Sequence, residues 1–141
     1  MNYLYLLDTN VISELAKPSP NPAVLKELKK NEDFCALSSV VWQETIHGYE
    51  SMPEGKRKEK VWQYLLKIQE TYQILPYDSF AAQICGELQA RCERKGKAVP
   101  KNDSQIAATA IANNMVLVTH NVSDFTPMVE ECMLHVEDWW A

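Results

Sequence analysis

Four acidic residues occupy positions where side chains could do chemistry. Asp8 directly follows the apolar run Tyr3 to Leu7, and Glu44 lies shortly after a second such run, Phe34 to Leu37. Asp103 begins the stripe Asp103, Ile106, Ala107, Ala110, Ile111, and Asp124 follows Val116 to Thr119 within Asn121-Val122-Ser123-Asp124-Phe125. On a helix, Glu44 would stack on Val40 and Val41 and below Gly48. An ionised carboxylate beside an apolar face is costly unless it is paired or bound to metal. Singly, each acid also has a structural reading. Asp103 suits the first turn of a helix, Asp124 suits a turn, and Asp8 could cap the helix after it. Glu44 has no obvious cation among its helical neighbours. Jointly, at one edge of one sheet, the four define a metal site. Hard carboxylate oxygens favour Mg²⁺, with Mn²⁺ as a substitute, over zinc. Two such ions about 4 Å apart clamp the attacking and leaving oxygens in phosphodiester hydrolysis.

The elements that must position these acids follow from pattern. Tyr3 to Leu7, Phe34 to Leu37 and Val116 to Thr119 are short apolar runs, the signature of strands buried on both faces. Ile74 and Leu75 are at most a minimal strand, and Met133 to Val136 is a candidate last one. Helices are expected from Val11 to Ala16, from Pro22 behind an Asn21 cap, and from Ser38 or Ser39 to about Tyr49. Further helices are expected over Lys56 to Tyr72, over Ser79 to Lys95 closed by Gly96, and over Asp103 to about Asn113 behind an Asn102 cap. Strands alternating with helices predict an α/β three-layer sandwich around a central parallel sheet, with ligands bound beyond the carboxyl ends of the strands.

Composition bounds the rest. At 141 residues, the chain is expected to form one domain over 1–141 with a core large enough to need neither disulfide nor structural metal. Four glycines leave no phosphate-binding glycine loop. Cys35, Cys85, Cys92 and Cys132 lack metal-ligand spacing and read as buried free thiols, which suits a reducing, cytoplasmic compartment. No stretch suits a signal peptide or membrane span. The net charge of −5 argues at face value against a nucleic-acid partner. With four acids assigned to a metal site, only −1 remains for the rest of the chain.

These residues carry a family resemblance. Leu6-Leu7-Asp8-Thr9-Asn10-Val11-Ile12-Ser13-Glu14, the spacing Glu44 to Gly48, Pro100-Lys101-Asn102-Asp103 with Ile106-Ala107-Ala108, and Val118-Thr119-His120-Asn121 with Asp124-Phe125 resemble the PIN-domain ribonucleases. More narrowly, the chain is similar to the VapC/FitB-type toxins of toxin–antitoxin pairs, and the resemblance runs from Met1 to Glu137-Asp138-Trp139. It implies a Rossmann-like fold and a Mg²⁺-dependent endoribonuclease acting on RNA. It also implies a homodimer, and a higher assembly with a small antitoxin whose tail fills the active-site groove. By position, Asp8, Glu44, Asp103 and Asp124 would be the catalytic, metal-binding acids, with Asn10, Thr119 and Asn121 as polar supports. The chain departs from the family pattern at His120, where Arg is frequent, at Thr45, where Leu is frequent, and at Asn114, where Gly is common.

Two basic clusters bear on RNA. Arg91, Arg94, Lys95, Lys97 and Lys101 approach Asp103, so Lys97 and Lys101 are candidate phosphate contacts. Lys56, Arg57, Lys58 and Lys60 read rather as a solvated helix face. Glu44-Thr45-Ile46-His47 matches a di-iron motif that needs a second copy, which is missing. A phosphatase reading of Asp8-Thr9-Asn10 lacks the second acid its nucleophile motif requires. The remaining alternative is a catalytically inactive PIN-like module that binds a partner protein or RNA without cleavage. Lys56 to Tyr72 and Trp139-Trp140 are candidate dimer or antitoxin surfaces, or equally core edge.

Overall fold

A computed structural model describes residues 3–140, so the outermost positions of the 1–141 span lie outside it. Five short parallel strands form one sheet in the order β3-β2-β1-β4-β5, with β1 Tyr5–Leu7, β2 Cys35–Ser38, β3 Gln73–Leu75, β4 Val116–Val118 and β5 Val136–Glu137. In the central strands Leu6 pairs with Ala36 on one side and Leu117 on the other. All three are fully buried, as continuous apolar strands covered on both faces must be.

Seven helices cover the sheet: α1 Thr9–Leu15, α2 Pro22–Asn31, α3 Ser39–Glu50, α4 Lys56–Thr71, α5 Ser79–Arg94, α6 Lys101–Ala112 and α7 Val122–Cys132. α5, α6 and α7 pack on one another, while α3 packs against α1 and α4. This is the expected three-layer α/β sandwich. The chain steps from β1 outward through β2 to β3, then returns to place β4 on the other side of β1. The β1/β4 boundary is thus the point where strand order reverses, and the carboxyl ends of the strands at such a point are where open α/β sheets bind their ligands.

Local chemistry sets the helix ends. Asn21 Oδ1 accepts from the Ala23 and Val24 N–H groups, and Ser38 Oγ accepts from Val41 N–H at 3.0 Å. Asp78 caps α5 through Ala81 N–H, and Gly96 follows that helix at φ +71°, a conformation glycine adopts without strain. Asn114 takes φ +54° before β4, where an asparagine is tolerated. Glu14, 7% exposed, accepts from Lys17 Nζ and from the Asn21 N–H, joining α1 to the start of α2.

Several expectations are corrected. The second strand is displaced to Cys35–Ser38, because Glu32–Phe34 form a 3-10 turn that leaves Phe34 exposed. α6 starts at Lys101 behind Pro100, so Asn102 lies inside the first turn and caps nothing. The last strand is Val136–Glu137, since Met133 adopts the left-handed conformation that ends α7. α7 itself was hidden in the sequence by Pro127, which usually breaks a helix. Cys132 is only half-buried, whereas Cys35, Cys85 and Cys92 are buried, and all four thiols are free. Lys58 is not a solvated cation: its side chain is 9% exposed, and Nζ reaches Glu54 Oε1 at 3.0 Å over the Tyr49 ring.

Candidate active site

Asp8 leaves the end of β1 as the N-cap of α1 and is 7% exposed. Its Oδ1 accepts from the Thr9 N–H at 2.8 Å. Its Oδ2 accepts from Thr119 Oγ1 at 2.7 Å and from Asn10 Nδ2 at 3.4 Å. Thr119, fully buried just after β4, also accepts from Asn10 Nδ2 at 3.0 Å and from the Asn121 N–H at 3.0 Å. Asn10 Oδ1 in turn accepts from the His120 N–H at 3.2 Å. Asn10 and Thr119 therefore tie the ends of β1 and β4 together, while Asn121 bonds through its backbone N–H to Thr119 on its own segment.

Glu44, half-buried in α3, is held at both oxygens. Oε1 accepts from Thr9 Oγ1 at 2.8 Å and Oε2 from Asn102 Nδ2 at 3.4 Å. Neither donor was singled out as a site residue from the sequence. Thr9 sits inside the Asp-Thr-Asn motif, but its partner is 35 residues away. Asn102 had a simpler local explanation as a cap, and only the true start of α6 removes it.

Asp103 is half-buried in the first turn of α6, and Asp124 is exposed in the first turn of α7. Burial, followed by the charges of Asp8, Asp124 and Glu44, pushes the Asp103 carboxyl up to about 6. Burial likewise raises Asp8. The Thr119 and Thr9 hydrogen bonds oppose that rise, and the Glu44 and Asp124 charges add to it. Asp8 and Asp103 thus both lie in the field of Glu44 and Asp124. The ion pairs among the described residues are Glu14–Lys17, Glu54–Lys58, Glu130–Lys97 and Asp138–His120, none of which neutralises this cluster.

Among the described residues, no three acidic, imidazole or thiol side chains stand close enough to grip one ion as they are placed. The donor set nonetheless fits a hard divalent cation: it is entirely oxygen, it is uncompensated by lysine or arginine, and two of its members are pinned by neutral donors.

The other candidate residues are distributed as follows. Lys101 is exposed at the first position of α6, while Lys97 Nζ lies 3.3 Å from Glu130 Oε1 on α7. His47 is exposed in the last turn of α3. Thr45 Oγ1 donates to Val41 O within its own helix. Trp139 is core edge: it is 5% exposed, edge-on to Tyr5, and its Nε1 donates to Glu137. A groove of about 260 Å³ runs from Thr9 and Glu44 between α1, α3 and α4, lined by Ile12, Ala16, Gly48, Met52 and Tyr64.

A parallel α/β sheet whose strand order reverses between β1 and β4, with acids of four segments near that end and no lysine or arginine paired to them, defines the class of fold, and the comparisons with known proteins specify the family. The PIN domain model matches residues 5–126. The VapC ribonuclease Y4jK of Sinorhizobium fredii is 35% identical over 86% of this chain and 90% of its own length. Toxin FitB of Neisseria gonorrhoeae is 33% identical over 86% and 91%. Among solved structures, FitAcB from Neisseria gonorrhoeae superposes with a TM-score of 0.88 at 29% identity, covering 97% of this chain and 99% of that one. VapBC2 from Rickettsia felis, bound to a DNA fragment from its promoter, gives 0.83 at 28% identity over 96% and 98%. The chain belongs to the PIN-domain family, among the VapC/FitB ribonucleases.

Proposed function

We propose that this protein is the endoribonuclease toxin of a toxin–antitoxin pair, hydrolysing RNA phosphodiester bonds with Mg²⁺, or Mn²⁺ in its place. One observation carries this reading. Asp103 is half-buried within the field of Asp8, Asp124 and Glu44, so that burial first and these charges second hold its carboxyl at about 6, and no lysine or arginine is paired to any of the four. Titratable groups perturbed by burial and by like charges cluster at functional sites.

In this reading the four acids hold the cation. When bound, it supplies positive charge against the phosphate oxygens and the acidity that activates water. The chain's own residues preorganise the site. Thr9 N–H and Thr119 Oγ1 fix the two oxygens of Asp8, and Thr9 Oγ1 with Asn102 Nδ2 fixes those of Glu44. Asn10 and Asn121 lock Thr119 in turn. Lys101 stands at the head of the helix that carries Asp103 and meets the phosphate backbone; Lys97, shared with Glu130, contributes less.

The partner in this reading is a small antitoxin protein, in keeping with the VapBC2 assembly, and the groove between α1, α3 and α4 receives part of it. The functional unit is a homodimer built from a single domain over 1–141. No helix of the described residues is long and apolar enough to cross a membrane.

The test is cleavage of purified RNA by the isolated protein with Mg²⁺, with EDTA, and with Mg²⁺ restored. Loss of cleavage in EDTA and its return with Mg²⁺ are expected. Cleavage that is indifferent to EDTA removes the cation from the proposal, and no cleavage under any condition favours the binding module without catalysis.

A further inference from the structure

At the rim of the acidic cluster, residues left unassigned by the metal-site reading form a small aromatic stack. The His120 ring lies on the Trp140 indole with centroids 4.6 Å apart and planes 22° from parallel. Asp138 organises both partners: its carboxylate lies 3.2 Å from His120 Nδ1, and its Oδ1 accepts from the Trp140 N–H at 2.9 Å. The stack is anchored to the site from the other side, because the His120 N–H donates to Asn10, which contacts Asp8 and Thr119. Trp140 covers one face of His120, yet the His120 side chain remains 54% exposed. An aromatic ring immobilised from behind, at its edge and through its backbone, with its outer surface open, is a platform for a further flat ring. Single-stranded RNA supplies one, since unpaired bases stack on aromatic and histidine side chains whatever their sequence.

We infer that His120, backed by Trp140, stacks against one base of the bound RNA beside the cleaved phosphate, and so positions the strand and biases which bond is cut. This rests on the endoribonuclease reading of the neighbouring acids. His120 is a positioning residue here: it reaches the substrate base and takes no proton from the reaction. The bond to Asn10 comes from the His120 backbone and survives replacement of the side chain, so the platform can be removed while the anchor stays.

The experiment is digestion of total bacterial RNA with Mg²⁺ by the parent, His120→Ala, His120→Phe and Trp140→Ala proteins, with sequencing of the cleaved ends. Loss of one stacked base should slow cleavage about tenfold in His120→Ala. It should also flatten the base preference at one position flanking the cut. Trp140→Ala should shift both readouts the same way by a smaller factor, and His120→Phe, which keeps the flat ring, should restore both. A His120→Ala protein that cuts at the parental rate with the parental base profile overturns the inference. So does a His120→Phe protein as impaired as His120→Ala. A parent protein that leaves all RNA intact refutes the nuclease reading itself, and is distinguished by that from either result.

Discussion

Thr9 serves two acids at once, giving its N–H to Asp8 and its hydroxyl to Glu44. Thr9→Val keeps the shape and the Asp8 contact but leaves Glu44 Oε1 without that donor. Cleavage is expected to fall by an order of magnitude or more, about what one misplaced catalytic group costs, while Thr9→Ser retains most of it. Parental rates in Thr9→Val would show that Glu44 needs no such anchor. Asp103 makes a second prediction, in which the sign matters. Its folded value, about 6, stands above its ordinary 3.8, so between those values the folded chain binds more protons than the unfolded one. Stability contributed at this carboxyl therefore falls as pH rises through that window. In the absence of divalent ions, Asp103→Asn should melt higher than the parent at pH 7, by on the order of 1 kcal/mol once solvent screening is allowed for, with no gain near pH 4. Equal melting of the two proteins at pH 7 would show that neither burial nor the neighbouring carboxylates penalise the charged Asp103. Glu44 and Asp103 were legible from sequence because each is set against an apolar helical stripe, and Asp8 because it directly follows the first apolar run. Thr9 and Asn102 were not, since a hydroxyl or amide has many local uses and its long-range partner is set by the fold.

At the scale of elements, the buried strands and most helices were legible because apolar runs and cap residues state them directly. Ser38 is such a case, its hydroxyl receiving the Val41 N–H in a fully buried setting. Ser38→Ala should cost about 1 kcal/mol, the usual worth of a serine cap. Cleavage below the melting range should stay near parental, because β2 still fixes where α3 begins. A large loss of activity in a still-folded Ser38→Ala protein would mean that the cap itself aligns Glu44. The elements misread were those where two local signals compete. Pro127 overrides the helical spacing of Phe125 and Met128, yet α7 forms because both side chains are buried. In α6, Asn102 is a better cap by type than Pro100, but Pro100 takes the extended cap conformation and frees Asn102 to reach Glu44.

At the scale of the whole molecule, it is topology that gathers four unremarkable acids into the proposed site. Each is explicable alone, and the strand order β3-β2-β1-β4-β5 brings the ends of β1 and β4 together. That order was expected only as a class, because short buried strands carry no mark of their neighbours. In the proposed function the net charge of −5 likewise changes meaning, since acids gathered at a cation site would not repel RNA once they are neutralised. The cationic contribution should then come more from Lys101 than from Lys97. Lys101→Gln should weaken RNA binding and lower the salt slope by about 1, with a smaller change for Lys97→Gln. Identical slopes for Lys101→Gln and the parent would remove Lys101 from the RNA path. The most direct test of the central claim is the rate of RNA cleavage in Mg²⁺ by the Asp8→Asn protein, with its fold checked by melting. Cleavage should be abolished while cooperative melting persists; a folded Asp8→Asn protein cutting at the parental rate would contradict the assignment of the acidic cluster as the active site.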